Sequence, residues 1–473
     1  MVSKKILGVA IAAAFSSQAF AVIDETGGTN GAGSGAVVYA KEAITSAQVT
    51  NGMVQVTAAG TELNTVVAVG FGVTATTHAF VRFDLTNAQF KNAVVAGDLT
   101  AVTGTITNVT VAQGGSAGSS YVIFDVTSGG LAQTDKFQLA LAGLQVSPTA
   151  PATISYAQYS TSPAAVAGSA TSTTGALATD SYQAISVANA LKTTITPANL
   201  TADVNAATPF TKFTGNPDTA TGSLGTVQFD LTAGALSATG TAVTTLAQVL
   251  NAGAGQSTLS VTGDLTFTNT GATGSAAATA ANLTFGASNS DTAATNVPSA
   301  KLSNLTGFTT ATAYPVSLTA ASAINAGSYS LTFTPVGIAN AAYGPSTATG
   351  SLGSISRNGA TVQVPYLTTN AGLNQKVVLV NRGSSDVTYS VSYTTEGTVT
   401  ATAGTAAAGT LKAKSTTVLK ATDLVTLTGG SRTAATVTVL APNTTIDAAT
   451  QTVVTDPASV SFGSSDTVAL DVK

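Results

Sequence analysis

Cysteine and tryptophan are absent from this 473-residue chain, and Met53 is the only methionine besides Met1. Without cysteine there is no disulfide scaffold and no Cys/His zinc site, so stability has to come from sheet packing. Histidine occurs once, in Thr76-Thr77-His78-Ala79. A lone histidine beside a strand is expected in a turn or on the surface, not as a base or a metal ligand. Glutamate occurs at Glu25, Glu42, Glu62 and Glu396 only, so a carboxylate pair for glycosidic chemistry would have to come from scattered aspartates. Charged residues make up 8% of the chain, against about 25% in an ordinary soluble domain. So few charges do little to keep like copies apart, which suits a protein that packs against its own kind. Large, sulfur-bearing residues are nearly missing, as expected of a product made in large amounts from simple residues.

What the chain does have is a recurring strand. Val81-Arg82-Phe83-Asp84-Leu85-Thr86 has its core repeated as Phe124-Asp125-Val126-Thr127 and as Phe229-Asp230-Leu231-Thr232. A related Gly-Asp-Leu-Thr follows at Gly97–Thr100 and Gly263–Thr266. Each copy of the first motif alternates apolar and polar side chains, as a strand with one buried face does. With 44% apolar residues and a mean hydropathy of +0.33, the chain can build cores and is not expected to be disordered.

Met1–Ala21 reads as a secretory signal peptide: Lys4 and Lys5, an apolar run Ile6–Phe15, and Ala19-Phe20-Ala21 at the cleavage site. The apolar run is too short to span a bilayer, so the protein is expected to be secreted and not membrane-spanning. The fold class read from the remainder is all-β, a multidomain array of β-sandwiches. A first sandwich is expected over 22–193, with a flexible Gly-rich start at 22–35 and a linker-like, Pro/Ser/Thr/Ala-rich stretch at 151–182. A second, related one is expected over 194–349, and an Ig-like sandwich over 350–442. An acidic tail or edge strand, centred on Ser459–Phe462, covers 443–473. Short strands at regular spacing with Gly/Asn/Ser turns carry this reading. Phe137–Leu144 is expected as one strand, Ala184–Leu191 as the best short helix and Val243–Asn251 as another. The shared order of the two motifs in the first two domains points to an internal duplication.

Charge is uneven. Lys/Arg minus Asp/Glu is 7 minus 14 over 22–349, 7 minus 3 over 350–440 and 1 minus 4 over 441–473. A basic unit between acidic neighbours is expected to make electrostatic contacts, either with another copy or with an anionic surface polysaccharide such as lipopolysaccharide. Arg357, Arg382, Lys412, Lys414, Lys420 and Arg432 are the candidate contact residues. A solvated face without a partner is the competing reading. Nucleic acid is not an expected partner of so acidic a chain.

Chemistry-bearing motifs fail in context. Gly31–Gly35 lacks the strand and helix that a phosphate loop needs. Gly114-Gly115-Ser116-Ala117-Gly118 matches a nucleophile elbow in letters but leads into a strand, not a helix. No calcium loop of the D-x-D-x-D-G type or calcium-binding nonapeptide occurs. Calcium is the one ion left open, with Asn289 and Asp291, near Asn296, as the local candidates; a single carboxylate favours an ordinary polar loop there. An outer-membrane barrel would need aromatic girdles, and aromatics are 6%. No catalytic and no cofactor-binding residues are expected, and the protein is not expected to be an enzyme.

Ile355-Ser356-Arg357-Asn358-Gly359, Val364-Pro365-Tyr366 and Val380-Asn381-Arg382-Gly383, set in a cysteine-free, Thr/Ala/Gly/Val-rich secreted chain, resemble the surface-layer (S-layer) proteins of marine gammaproteobacteria. The resemblance implies a self-assembling paracrystalline coat outside the outer membrane, shed in part into the biofilm matrix, with no catalytic residues. The alternative is a secreted adhesin or pilus-like filament subunit, although Val22–Gly35 is too glycine-rich for a donor strand. A polysaccharide-degrading enzyme ranks third.

Overall fold

The repeated strand lies at the centre of the first hydrophobic core. The computed structural model describes residues 36–58, 63–215, 217–268, 283–289, 299–455 and 466–470. In it His78–Thr86 is flanked by Tyr121–Ser128 and Ala152–Tyr159 in a six-stranded sheet. Phe83 and Phe124 are both fully buried and meet edge-on, with ring centroids 6.3 Å apart. Period-2 alternation sends Asp84 and Asp125 to the other face. Two copies of the motif are thus neighbours in one sheet. A three-stranded sheet (Thr65–Ala68, Lys136–Leu139, Leu99–Ala101) and a four-stranded sheet (Val49–Thr50, Met53–Thr57, Gly143–Val146, Ala88–Phe90) close over the same core. The expected single strand Phe137–Leu144 is broken between Leu139 and Gly143, and its halves enter these two sheets.

The third copy anchors a second core. Phe229, in Thr221–Leu231, is fully buried against Phe333 at 4.9 Å and Phe308 at 5.9 Å. Two five-stranded sheets enclose it, one around Thr221–Leu231 and the other around Gly327–Thr334 and Ala348–Arg357. The Gly-Asp-Leu-Thr copies do not occupy equivalent places. Asp98 ends a 3-10 turn that runs into Leu99–Ala101, whereas Asp264 follows the strand Thr258–Thr262 and opens a 3-10 turn.

The third core lies between two four-stranded sheets. One is formed by Ala360–Thr368, Arg432–Val439, Val387–Thr394 and Ala408–Leu411; the other by Ser415–Lys420, Leu373–Asn381, Ile446–Val454 and Asp466–Leu470. Position 350, the expected start of this sandwich, falls inside Ala348–Arg357, whose Leu352 and Ile355 are buried in the second core. The stretch after Pro442 contains Ile446–Val454, a strand paired on both sides. Ser459–Phe462 lies outside the described residues.

Other local expectations give way to tertiary pairing. Ala184–Leu191 is not helical: Ala178–Ala188 is a strand between Ala152–Tyr159 and the parallel Val37–Ala40, and it buries Ala184 and Ile185. Eight residues nucleate a helix poorly, and β-branched Ile185 and Val187 suit a sheet. Within Val243–Asn251 only Leu246–Gln248 turns, as a 3-10 helix. The linker-like 151–182 holds a central strand, Ala152–Tyr159, and a short helix, Ser162–Ala167, capped by Thr161. Arg82 fastens that helix to the sheet. Its guanidinium grips both carboxylate oxygens of Asp84 at 2.7 Å, donates to Ala165 O at 2.9 Å and lies over the Tyr121 ring at 4.5 Å. A buried arginine is tolerable with this bidentate partner.

Candidate assembly surface and the joints between cores

The six candidate cations do not form one patch. Arg357 turns into the second core: Nε donates to Ile324 O at 2.7 Å, Nη2 to Asn325 Oδ1 at 2.9 Å, and the guanidinium stacks on Phe210 at 4.5 Å. Arg382, Lys412 and Lys414 lie on two loops knit by Asn381, whose amide donates to Ser385 O at 2.9 Å and Lys412 O at 3.2 Å. In these loops Arg382 pairs with Asp447, and Lys412 with Asp386 at 2.7 Å. The Lys412 ammonium, together with the Ala413 N–H, holds the Asp386 carboxyl below the usual range, and Asp386 in turn raises Lys412. Arg432 pairs with Glu396 at 3.2 Å. Lys414 and Lys420 are exposed, and among the described residues neither forms an ion pair. Surface pairs such as these contribute little to stability, because solvent screens them and ordering two long side chains costs entropy. They leave the charges available to a partner.

Sequence reasoning missed the residues that set how the cores join. Glu42 is fully buried, and its carboxylate accepts the backbone N–H groups of Ala190 at 2.9 Å and Leu191 at 3.2 Å. Those residues carry the chain from the first core to the second. Around them Val37–Ala40 pairs with Ala178–Ala188 on one side. On the other, Ala40 N donates to Leu236 O and Leu236 N to Val38 O, each at 2.8 Å. Ala342 N donates to Ile44 O at 2.8 Å, and the small cluster Ala40, Ala43, Ala190, Ala235, Val243 and Val249 fills the seam. A lone glutamate inside Tyr39-Ala40-Lys41-Glu42-Ala43-Ile44 is the signal that could have marked it.

The second joint is narrower. Asn358-Gly359 alone separates Ala348–Arg357 from Ala360–Thr368. Asn358 Nδ2 donates to Asp203 Oδ1 at 2.6 Å, and its Oδ1 accepts Val204 N at 2.6 Å. A Cβ at Gly359 would collide with the Val439 carbonyl. Burial pushes the Asp203 carboxyl up, but hydrogen bonds from the Asn358 amide, the Asn205 backbone and the neighbouring Asp218 prevail and hold it below the usual range.

His78 opens its strand, is half-exposed and meets Asp125 at 2.6 Å. Gly114–Gly118 lies in the hairpin between Ile106–Gly114 and Tyr121–Ser128. Among the described residues there is no group of three His, Cys, Asp or Glu side chains that could hold a metal, and no helix long and apolar enough to cross a membrane. Asp291 and Asn296 lie outside the described residues, and of Asn289 only the backbone, paired with Thr284, is described.

Three sheet-enclosed cores make this an all-β protein of several sheets. Residues 79–459 match the family described as S-layer protein Slr4, a span that reaches from the first core past Ile446–Val454. The chain belongs to this family of S-layer proteins, which implies a cell-surface, extracellular placement. No curated protein matches the chain. Among solved structures, the native conformation of E. coli alpha-2-macroglobulin aligns at 11% identity over 83% of this chain and 23% of that one, with a TM-score of 0.18. The chain thus spans about a quarter of that structure's length, and a likeness this low carries no argument about the fold.

Proposed function

We propose that the protein forms the paracrystalline coat outside the outer membrane of a marine gammaproteobacterium and contributes shed material to the biofilm matrix. The family match across 79–459 is the observation that carries this reading. Met1–Ala21 directs export and is removed. The mature chain is three β-units, the third of them Ig-like, with joins near Ala190 and Asn358. The third unit carries the contact charges: Arg382, Lys412, Lys414, Lys420 and Arg432 meet acidic surface on a neighbouring copy or the phosphates and acidic sugars of lipopolysaccharide. Arg357, committed to the second core, is not among them. Calcium bridges between copies through loop oxygens, not through a dedicated loop motif.

Negative-stain electron microscopy of purified mature protein, with calcium and with chelator, tests the reading. Ordered sheets that dissolve in chelator are expected. Sheets that survive chelation would remove the calcium bridges alone. Filaments would favour a pilus-like subunit, and dispersed monomers in both conditions would sink the coat.

A further inference from the structure

The long sheet edges of this molecule are guarded, with one exception. Among the described residues, five edge strands are five residues or longer. Leu191–Pro197 carries Lys192 and ends on a proline, and Ala360–Thr368 contains Pro365. Ser415–Lys420 ends on Lys420, and Asp466–Leu470 opens on Asp466. Charge and proline on an edge keep a strand from pairing with another chain. The fifth, Ile106–Gly114, has neither in nine residues. It borders the six-stranded sheet and pairs with Tyr121–Ser128 on one side. Among the described residues, no backbone hydrogen bond reaches Ile106–Gln113 from the open side. Register shifts at Thr107 and at Ala112 bracket a regular stretch, Asn108–Val111.

Apolar surface collects along the same edge. Ile106, Val109 and Val111 pack against the first core but stay partly exposed. Val95, 56% exposed, lies beside the Gly114 end, where Val94 N donates to Gly115 O at 2.7 Å. Val102, 50% exposed, precedes the Ile106 end.

Resting on the coat reading, we propose that this edge pairs antiparallel with the same edge of a second copy, centred on Thr110. That register sets Val109 against Val111 on the core side and Thr110 against Thr110 on the outer side. Apolar meets apolar and hydroxyl meets hydroxyl, the pairings that stabilise a sheet. It also brings the Val95 end of one copy to the Val102 end of the other. No charge enters the contact. The nearest on that row is Asp125, opposite Thr110 within each copy and met by its own His78. The two Asp125 would stand three strand spacings apart, about 14 Å, beyond a screening length of about 8 Å. Any other long edge of the chain would bring a charge or a proline to this strand. A hydrated polysaccharide offers neither a backbone ladder nor apolar cover. A two-fold contact of this kind joins copies in pairs and leaves their other faces free to extend the sheet.

With no cysteine in the chain, Thr110→Cys introduces a single thiol. Residues facing each other in an antiparallel pair lie within disulfide reach. Mild oxidation of the assembled, full-length variant should therefore convert monomer to disulfide-linked dimer. Thr388→Cys, exposed on a strand paired on both sides, gives the background of chance collisions. Thr110→Lys, with far-UV dichroism unchanged, should lose ordered sheets. Ordered sheets in which Thr110→Cys links no better than Thr388→Cys would overturn this contact and leave the coat standing, as would sheets that persist in Thr110→Lys. Linked dimers without sheets from the wild type would sink the coat and keep the strand pair; neither dimers nor sheets would sink both. If Thr110→Cys misfolds, a mixture of Asn108→Cys and Ala112→Cys proteins, opposite each other in the same register, decides by whether it yields the mixed dimer.

Discussion

The two joints of this molecule are built on opposite plans. Between the first and second cores the seam is broad. A strand is inserted from the N-terminal side, small alanines pack closely, and a buried carboxylate holds two backbone N–H groups. Between the second and third cores two residues make the crossing, and the side chain of Asn358 fixes them. The first joint is held by burial and the second by a polar clamp. The first should therefore behave as part of one cooperative unit, and the second as a hinge whose stiffness depends on a few hydrogen bonds.

The sharpest test of that contrast is Glu42→Ala. It leaves the Ala190 and Leu191 N–H groups without their acceptor, at about 1–3 kcal/mol each, and should lower the unfolding midpoint of the first two cores together while sparing the third. Urea unfolding followed by proteolytic fragment mapping would show this; a loss confined to the first core would mean the seam is not cooperative. Next in size, Asn358→Ala should cost about 2 kcal/mol. It should broaden the distance distribution between labels placed in the second and third cores and lower the melting of the second core, whose Asp203 and Val204 lose their partner, with the third core still melting as before. An unchanged distribution would show that the clamp is dispensable.

Acid offers a reversible version of the same experiment. Because the folded Asp203 carboxyl titrates below its unfolded value of 3.8, its contribution is present above about pH 4 and is lost as pH falls through the lower folded value. The label distances across the second joint should widen in that window, and Asn358→Ala should widen them at neutral pH already. The smallest effect is expected from Lys412→Ala. It breaks an exposed, solvent-screened pair with Asp386 and should leave the thermal midpoint unchanged within error. A measurable loss would show that the loops around Asn381 depend on that charge.

Strand alternation was legible in the sequence because it is local. Phe83, Phe124 and Phe229 are buried as the pattern requires, and Val387–Thr394 alternates as expected. What the sequence hid was partnership at a distance. Asn358 reads as an ordinary Asn-Gly turn, yet its partner Asp203 is 155 residues away. Arg357 reads as a surface charge, yet Phe210 and Ile324 draw it inward. Ala184–Leu191 has the small residues of a helix, but the strands on either side decide its conformation. The Gly-Asp-Leu-Thr copies show the converse: identical letters do unlike work, because a short Asp-containing turn caps whatever lies next to it. Lys376, absent from the candidate contact residues, becomes notable only when the register sets it against Lys420.

The inserted strand Val37–Ala40 also sets an order of events. A ribosome makes it among the first structured segments, but its partners at Ile185–Ala188 and Leu236, and the Asn340–Ala342 partners of the adjoining Ile44 and Ser46, are made roughly 150 to 300 residues later. Loops of that length close slowly. The N-terminal segment must therefore wait undocked until Ile185–Ala188 has been made, and the seam closes only after Leu236 and Asn340–Ala342 have followed. A copy whose second core has not folded cannot close its first joint, so completion of that seam separates finished subunits from unfinished ones.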